Sequence, residues 1–80
     1  MTHELKCYPE FFGPVVSGEK RFEIRREDRN FSVGDKLRLR EWKQSLPYYT
    51  GNEIIVRVDY ILTKADFPAI PEGYVILSIS

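Results

Sequence analysis

The sequence is poor in the residues that build stapled or metal-bound folds. It has one cysteine and one histidine in 80 residues. A lone Cys7 forms no internal disulfide, so a reducing compartment is expected. One thiol and one imidazole are too few soft ligands for a metal site, and no metal or cofactor is expected. No apolar run approaches the roughly 20 residues of a membrane span. Met1-Thr2-His3-Glu4-Leu5-Lys6 has neither a basic n-region nor an apolar h-region, so it does not read as a secretory signal. A cytoplasmic chain without a membrane partner is the expectation. There is no glycine-rich phosphate loop and no serine-type triad. Net charge is also missing, because 12 basic residues balance 12 acidic ones. That excludes a polycation that binds nucleic acid indiscriminately. The length suits one domain over 1–80, with a core that hides only about 60% of the unfolded surface.

What the chain does have is an uneven charge distribution. Between Gly18 and Lys43 lie Lys20, Arg21, Arg25, Arg26, Arg29, Lys36, Arg38, Arg40 and Lys43, opposed by Glu19, Glu23, Glu27, Asp28, Asp35 and Glu41. This middle stretch is net positive and both flanks are net negative. Arginine dominates it, and arginine suits bidentate phosphate contact and base stacking. A mixed-charge solvated surface is the plainer reading of the same pattern.

Hydrophobic periodicity supplies the elements. Glu4 to Cys7 reads as a strand with Leu5 and Cys7 on one face, which makes Cys7 a small buried residue rather than a nucleophile. Pro9 and Glu10 suit a helix start, and Phe11, Phe12, Val15 and Val16 follow at helical spacing. Pro14 predicts a kink or two short turns, and Gly18 a left-handed cap. Lys20 to Arg26 alternates as a strand, with Phe22 and Ile24 on its apolar parity. Val33 to Lys36 is a tight turn. Lys36 to Lys43 alternates Leu37 and Leu39 against Arg38, Arg40 and Trp42. Gln44 to Asn52 reads as a loop holding Tyr48 and Tyr49. Glu53 to Leu62 is the longest strand, and Tyr74 to Ser80 closes the chain. The expected fold is mainly β (α+β): a partly closed barrel of five to six strands with one helix near Pro9 to Ser17. The expected core is Phe22, Ile24, Leu37, Leu39, Val56, Val58, Leu77 and Ile79.

Gly18-Glu19-Lys20-Arg21-Phe22-Glu23-Ile24-Arg25 reads G-x-K-x-x-E-x-R between a helix end and a strand. This resembles the signature of the ASCH (activating signal cointegrator homology) domain. The element order, the Val33-Gly34-Asp35 turn and Leu37-Arg38-Leu39-Arg40-Glu41-Trp42 extend the resemblance over essentially the whole chain. His3-Glu4-Leu5-Lys6 and Asp28-Arg29-x-Phe31 are similar to a compact bacterial and phage branch of unassigned function. The resemblance implies a PUA-like barrel with a cleft beside its helix, and RNA or a nucleotide-like ligand in that cleft. Some small bacterial ASCH proteins hydrolyse acylated cytidine with the motif lysine. They carry threonine where this chain has Glu23, and they use a further carboxylate in the region of Asp66 and Glu72.

The motif leaves three roles open. Lys20 and Arg25 contact phosphate while Glu23 accepts from a base amino group; or Lys20 acts as nucleophile or base; or Glu23 and Arg25 form a structural ion pair. Arg29 is a nearby phosphate contact. Arg38, Arg40 and Trp42 share a face and form either a stacking and phosphate platform or a solvated barrel end. Tyr48 and Tyr49 either stack on bases or anchor their loop. Arg57 pairs across to Glu41. His3 sits at a strand edge or beside the motif strand. The leading expectation is a non-enzymatic RNA-binding module recognising single-stranded or modified RNA. The alternatives are a small amidohydrolase, with Lys20 and Glu23 at its centre, and a protein-interaction module.

Overall fold

In the computed structural model, which describes residues 1–80, the elements run β1 (Thr2–Cys7), α1 (Pro9–Ser17), β2 (Phe22–Arg26), β3 (Lys36–Lys43), β4 (Tyr48–Leu62) and β5 (Tyr74–Ile79). The five strands form one sheet in the order β1-β3-β4-β5-β2. β1 runs parallel to β3, and every other pairing is antiparallel. The protein is mainly β with one short helix, as the alternation and the single helical stripe anticipate.

β1 and β2 lie at opposite edges of this sheet, and no backbone ladder joins them. The sheet is therefore open. Arginine side chains cross the gap between its edges instead. Arg25 Nη2 donates to the Lys6 carbonyl at 2.8 Å, and Arg29 Nη1 donates to the Glu4 carbonyl at 3.1 Å. Strand alternation turns both carbonyls away from β3, where they would otherwise need water.

The core gathers Leu5, Cys7, Leu37, Leu39, Val56, Val58, Leu77 and Ile79 from the strands, with Phe12 and Val15 from α1. Six of the eight expected core residues are buried. Phe22 and Ile24 are not: they are 46% and 59% exposed, and Glu23 between them is 4% exposed. The cross-strand register explains the reversal. Glu23 faces Leu77 on β5, and Phe22 faces Ser78. Leu77 is fully inside, so the odd-numbered parity of β2 must point inward with it.

Three smaller expectations also change. α1 is one continuous nine-residue helix despite Pro14. Pro14 forfeits only the bond to the Glu10 carbonyl, on an exposed turn that water reaches. Gly18 caps the helix at φ 83°, as expected. Tyr48 and Tyr49 belong to β4, paired with Lys43 and Trp42, so the hairpin turn is shorter than the composition suggests. Arg57 pairs with Asp59 of its own strand at 2.9 Å rather than with Glu41.

His3 is buried on edge strand β1, where its Nε2 lies 2.8 Å from Asp35 Oδ2. Its ring stands edge-on to Phe31 at 4.9 Å. The same carboxylate accepts from the Ser32 amide at 2.9 Å, and its other oxygen lies 3.3 Å from the Met1 amino group. The His3 hydrogen bond, then that of Ser32, lowers the Asp35 pKa from 3.8 to about 2. A depressed carboxylate stabilises the fold above its unfolded value, and the contribution is lost as pH falls through the folded one. Asp35→Asn should therefore lower the urea midpoint at pH 6, and the difference from wild type should shrink between pH 5 and 2. Midpoints measured across that range check it; a difference independent of pH would remove the carboxylate as its source.

Candidate functional site

The end of α1 positions the first motif residue. Gly18 turns the chain through the left-handed region, and the Lys20 amide then donates to the Pro14 carbonyl at 3.0 Å. This fastens the Lys20 backbone beneath the helix, two residues before β2 begins. β2 next carries Glu23 and Arg25 on its inward parity. Lys20, Glu23 and Arg25 consequently meet in one place, a cleft of about 490 Å³ between α1, β2 and the end of β1.

The cleft has a polar floor. Glu23 accepts from Lys20 Nζ at 2.6 Å on one oxygen and from Arg25 Nε at 2.9 Å on the other. Lys20 Nζ donates again, to the Phe22 carbonyl at 2.7 Å. Arg25 spends Nη2 on the Lys6 carbonyl. Glu23 is thus clamped by two cations, which is how a carboxylate tolerates the core-facing parity of a strand. Lys20 keeps one N–H uncommitted, and Arg25 Nη1 has no partner within the chain.

The rim is apolar and aromatic: Tyr8, Phe11, Phe22 and Ile24 border the cleft, and each is over 40% exposed. The Lys20 ammonium lies 4.9 Å from the Phe22 ring centre and 5.6 Å from that of Phe11. Cys7 also borders the cleft, but its thiol is buried. Burial first, and then the Glu23 charge, raise its pKa. A thiol pushed that way is a poor nucleophile, in keeping with its small-core reading.

The other candidates lie elsewhere. Arg29 does not border the cleft; it spans the gap to β1 and lies 3.7 Å from Asp28. Arg38 and Arg40 share the outer face of β3 with two carboxylates. Arg38 forks onto Glu53 at 3.0 and 2.9 Å, and Arg40 meets Glu4 at 2.8 Å. The Arg38 hydrogen bond holds the Glu53 carboxyl below its ordinary pKa. Trp42 packs edge-on to Tyr49 at 4.8 Å, with Lys6 Nζ 4.0 Å from its ring centre, and Arg40 covers Tyr49 at 3.8 Å. Lys6 thus links this ladder to the cleft, which it also borders. Asp66 caps the turn at Thr63, with its carboxylate on the Thr63 amide and hydroxyl, and neither it nor Glu72 borders the cleft. His3 lies with Asp35, outside the cleft.

The sequence reading missed Lys6, Tyr8 and Phe11 as cleft residues and assigned Phe22 and Ile24 to the core. The available signal was Glu23 itself. A carboxylate flanked by Lys20 and Arg25 at strand and turn spacing can turn inward, and that sends Phe22 and Ile24 out.

No helix of the protein is long and apolar enough to cross a membrane. A protein of Escherichia phage P2, described as an uncharacterized 12.9 kDa protein in the GpA 3' region, is 37% identical to this chain over 75 residues. The match covers 94% of this chain and 64% of the phage protein, so the chain spans just under two thirds of that relative. A family model described as a domain of unknown function, DUF3850, matches residues 2–79, and the chain belongs to that family.

Proposed function

We propose that this chain is an ASCH-like module that binds single-stranded RNA or a nucleotide-like ligand in the cleft floored by Lys20, Glu23 and Arg25. The observation that carries the reading is the meeting of all three motif residues in one open cleft, beside aromatic side chains. A volume of about 490 Å³ lies within the range of small-molecule sites, roughly 300–1,000 Å³. It suits one splayed nucleotide and excludes a duplex. The G-x-K-x-x-E-x-R motif supports the ASCH resemblance. On that reading the curled sheet is a PUA-like barrel whose β1–β2 seam is closed by Arg25 and Arg29.

The aromatic rim supplies stacking, which tolerates any base. Lys6, Lys20 and Arg25 outnumber Glu23, so the cleft is net positive in a chain of zero net charge. The site binds rather than hydrolyses: Lys20 commits two N–H groups to Glu23 and the Phe22 carbonyl, and Cys7 is held as a thiol. Arg38 and Arg40 are neutralised by Glu4 and Glu53 and contribute little. The test is a titration against a random single-stranded RNA pool at two salt concentrations. Binding should weaken with salt at a shallow log–log slope, about −1.4 to −2.1, as for two or three neutralised phosphates on a single strand. Absence of binding at low salt would overturn the proposal.

A further inference from the structure

The charged side chains of the cleft offer more donors than acceptors: Lys6, Lys20 and Arg25 against Glu23 alone. Glu23 is the one carboxylate that borders it, and both of its oxygens are already occupied, by Lys20 and by Arg25. Within the Lys20–Glu23–Arg25 cluster, a Lys20 N–H and Arg25 Nη1 are the donors left uncommitted. Glu23 therefore positions two donors, and with its side chain only 5% exposed its remaining lone pairs are turned away from an entering ligand.

Burial sets the direction of entry. Side-chain exposure is 5% for Glu23, 16% for Lys20 and 24% for Arg25. The aromatic residues above them are far more exposed. A nucleotide entering such a cleft keeps its sugar at the mouth, where the chain continues. The group opposite the glycosidic bond then goes deepest: position 4 of a pyrimidine or position 6 of a purine. An oxo group there accepts from Lys20 and Arg25. An amino group there is a donor facing donors, and it loses its water without gaining a partner.

We infer that the cleft selects bases with an oxo group opposite the sugar, uracil and guanine, over cytosine and adenine. The inference rests on the nucleotide-binding reading above. One unmatched buried donor corresponds to about ten- to hundredfold in affinity.

The experiment compares single-stranded hexamers by competition against one labelled RNA, with U6 against C6 and inosine hexamer against A6. Each pair compares an oxo with an amino group at the deepest position. Wild-type protein should bind U6 at least about tenfold more tightly than C6, with the same order in the purine pair. Lys20→Ala should bring both ratios towards one. A smaller ratio, or a reversed order in either pair, overturns the selectivity while RNA binding stands. If no hexamer binds at low salt, both the selectivity and the nucleotide-binding reading fall.

Discussion

Glu23→Ala should destabilise the fold by about 2–3 kcal/mol, far more than a glutamate on a five-residue edge strand ordinarily contributes. The carboxylate is buried against Leu77 and receives one cation on each oxygen. Removing one member of a buried charge cluster leaves the others desolvated without their counter-ion, which costs about 3–5 kcal/mol when they are fully enclosed. Lys20 and Arg25 retain some exposure, so water recovers part of that loss. Arg25 also ties β2 to β1 through the Lys6 carbonyl, and a guanidinium released from Glu23 holds that seam less firmly. Glu23→Gln keeps the shape and one acceptor and should lose about half as much. Urea denaturation of both variants, with Glu19→Ala as an exposed control, checks the ordering. If Glu23→Ala costs no more than Glu19→Ala, the clamp is not what holds β2 inward. A double-mutant cycle with Lys20→Ala should show coupling of about 1 kcal/mol or more, because each member loses value without the other.

That same clamp marks the boundary between what the sequence reveals and what it conceals. β3 was legible: Leu37 and Leu39 alternate with Arg38 and Arg40 over eight residues, and both leucines are wholly buried. The helix was legible too, because Pro9, the paired apolar residues and Gly18 agree on its bounds. β2 was not, because in a strand of five residues two apolar side chains outvote one carboxylate unless the charge partners are known. One of those partners, Lys20, lies outside the strand, and its reach depends on the turn at Gly18. The His3–Asp35 pair was hidden for a related reason. His3 shares the parity of Leu5 and Cys7, which points it inward, but its partner lies 32 residues away. Arg38 and Arg40 read as a free cationic face, since nothing local announces that parallel β1 brings Glu4 beside them while β4 brings Glu53. Partners that are distant in sequence decide whether a charge is available.

Lys20→Ala and Arg25→Ala should each weaken single-stranded RNA binding by about 1–3 kcal/mol, a loss of roughly five- to 150-fold. Each removes a charge-assisted donor from the cleft floor, where low solvent access makes the bond stronger than at the surface. Arg38→Ala should leave affinity within about threefold, because its guanidinium is already satisfied by Glu53 and Glu4. Arg29→Ala, at the seam and outside the cleft, should behave as Arg38→Ala does. Arg25 has a second role at the seam, so its variant needs a control for folding. Arg25→Lys keeps the charge but cannot fork between Glu23 and the Lys6 carbonyl, and it should bind more weakly than wild type while losing less thermal stability than Arg25→Ala. Fluorescence anisotropy at two salt concentrations, with circular dichroism on every variant, separates the effects. Removing one cation from the binding cleft should make the salt slope shallower for Lys20→Ala and leave it unchanged for Arg38→Ala. Should Arg38→Ala prove the more damaging, the binding surface is the outer face of β3, where Trp42 packs edge-on to Tyr49, and the motif cleft is structural.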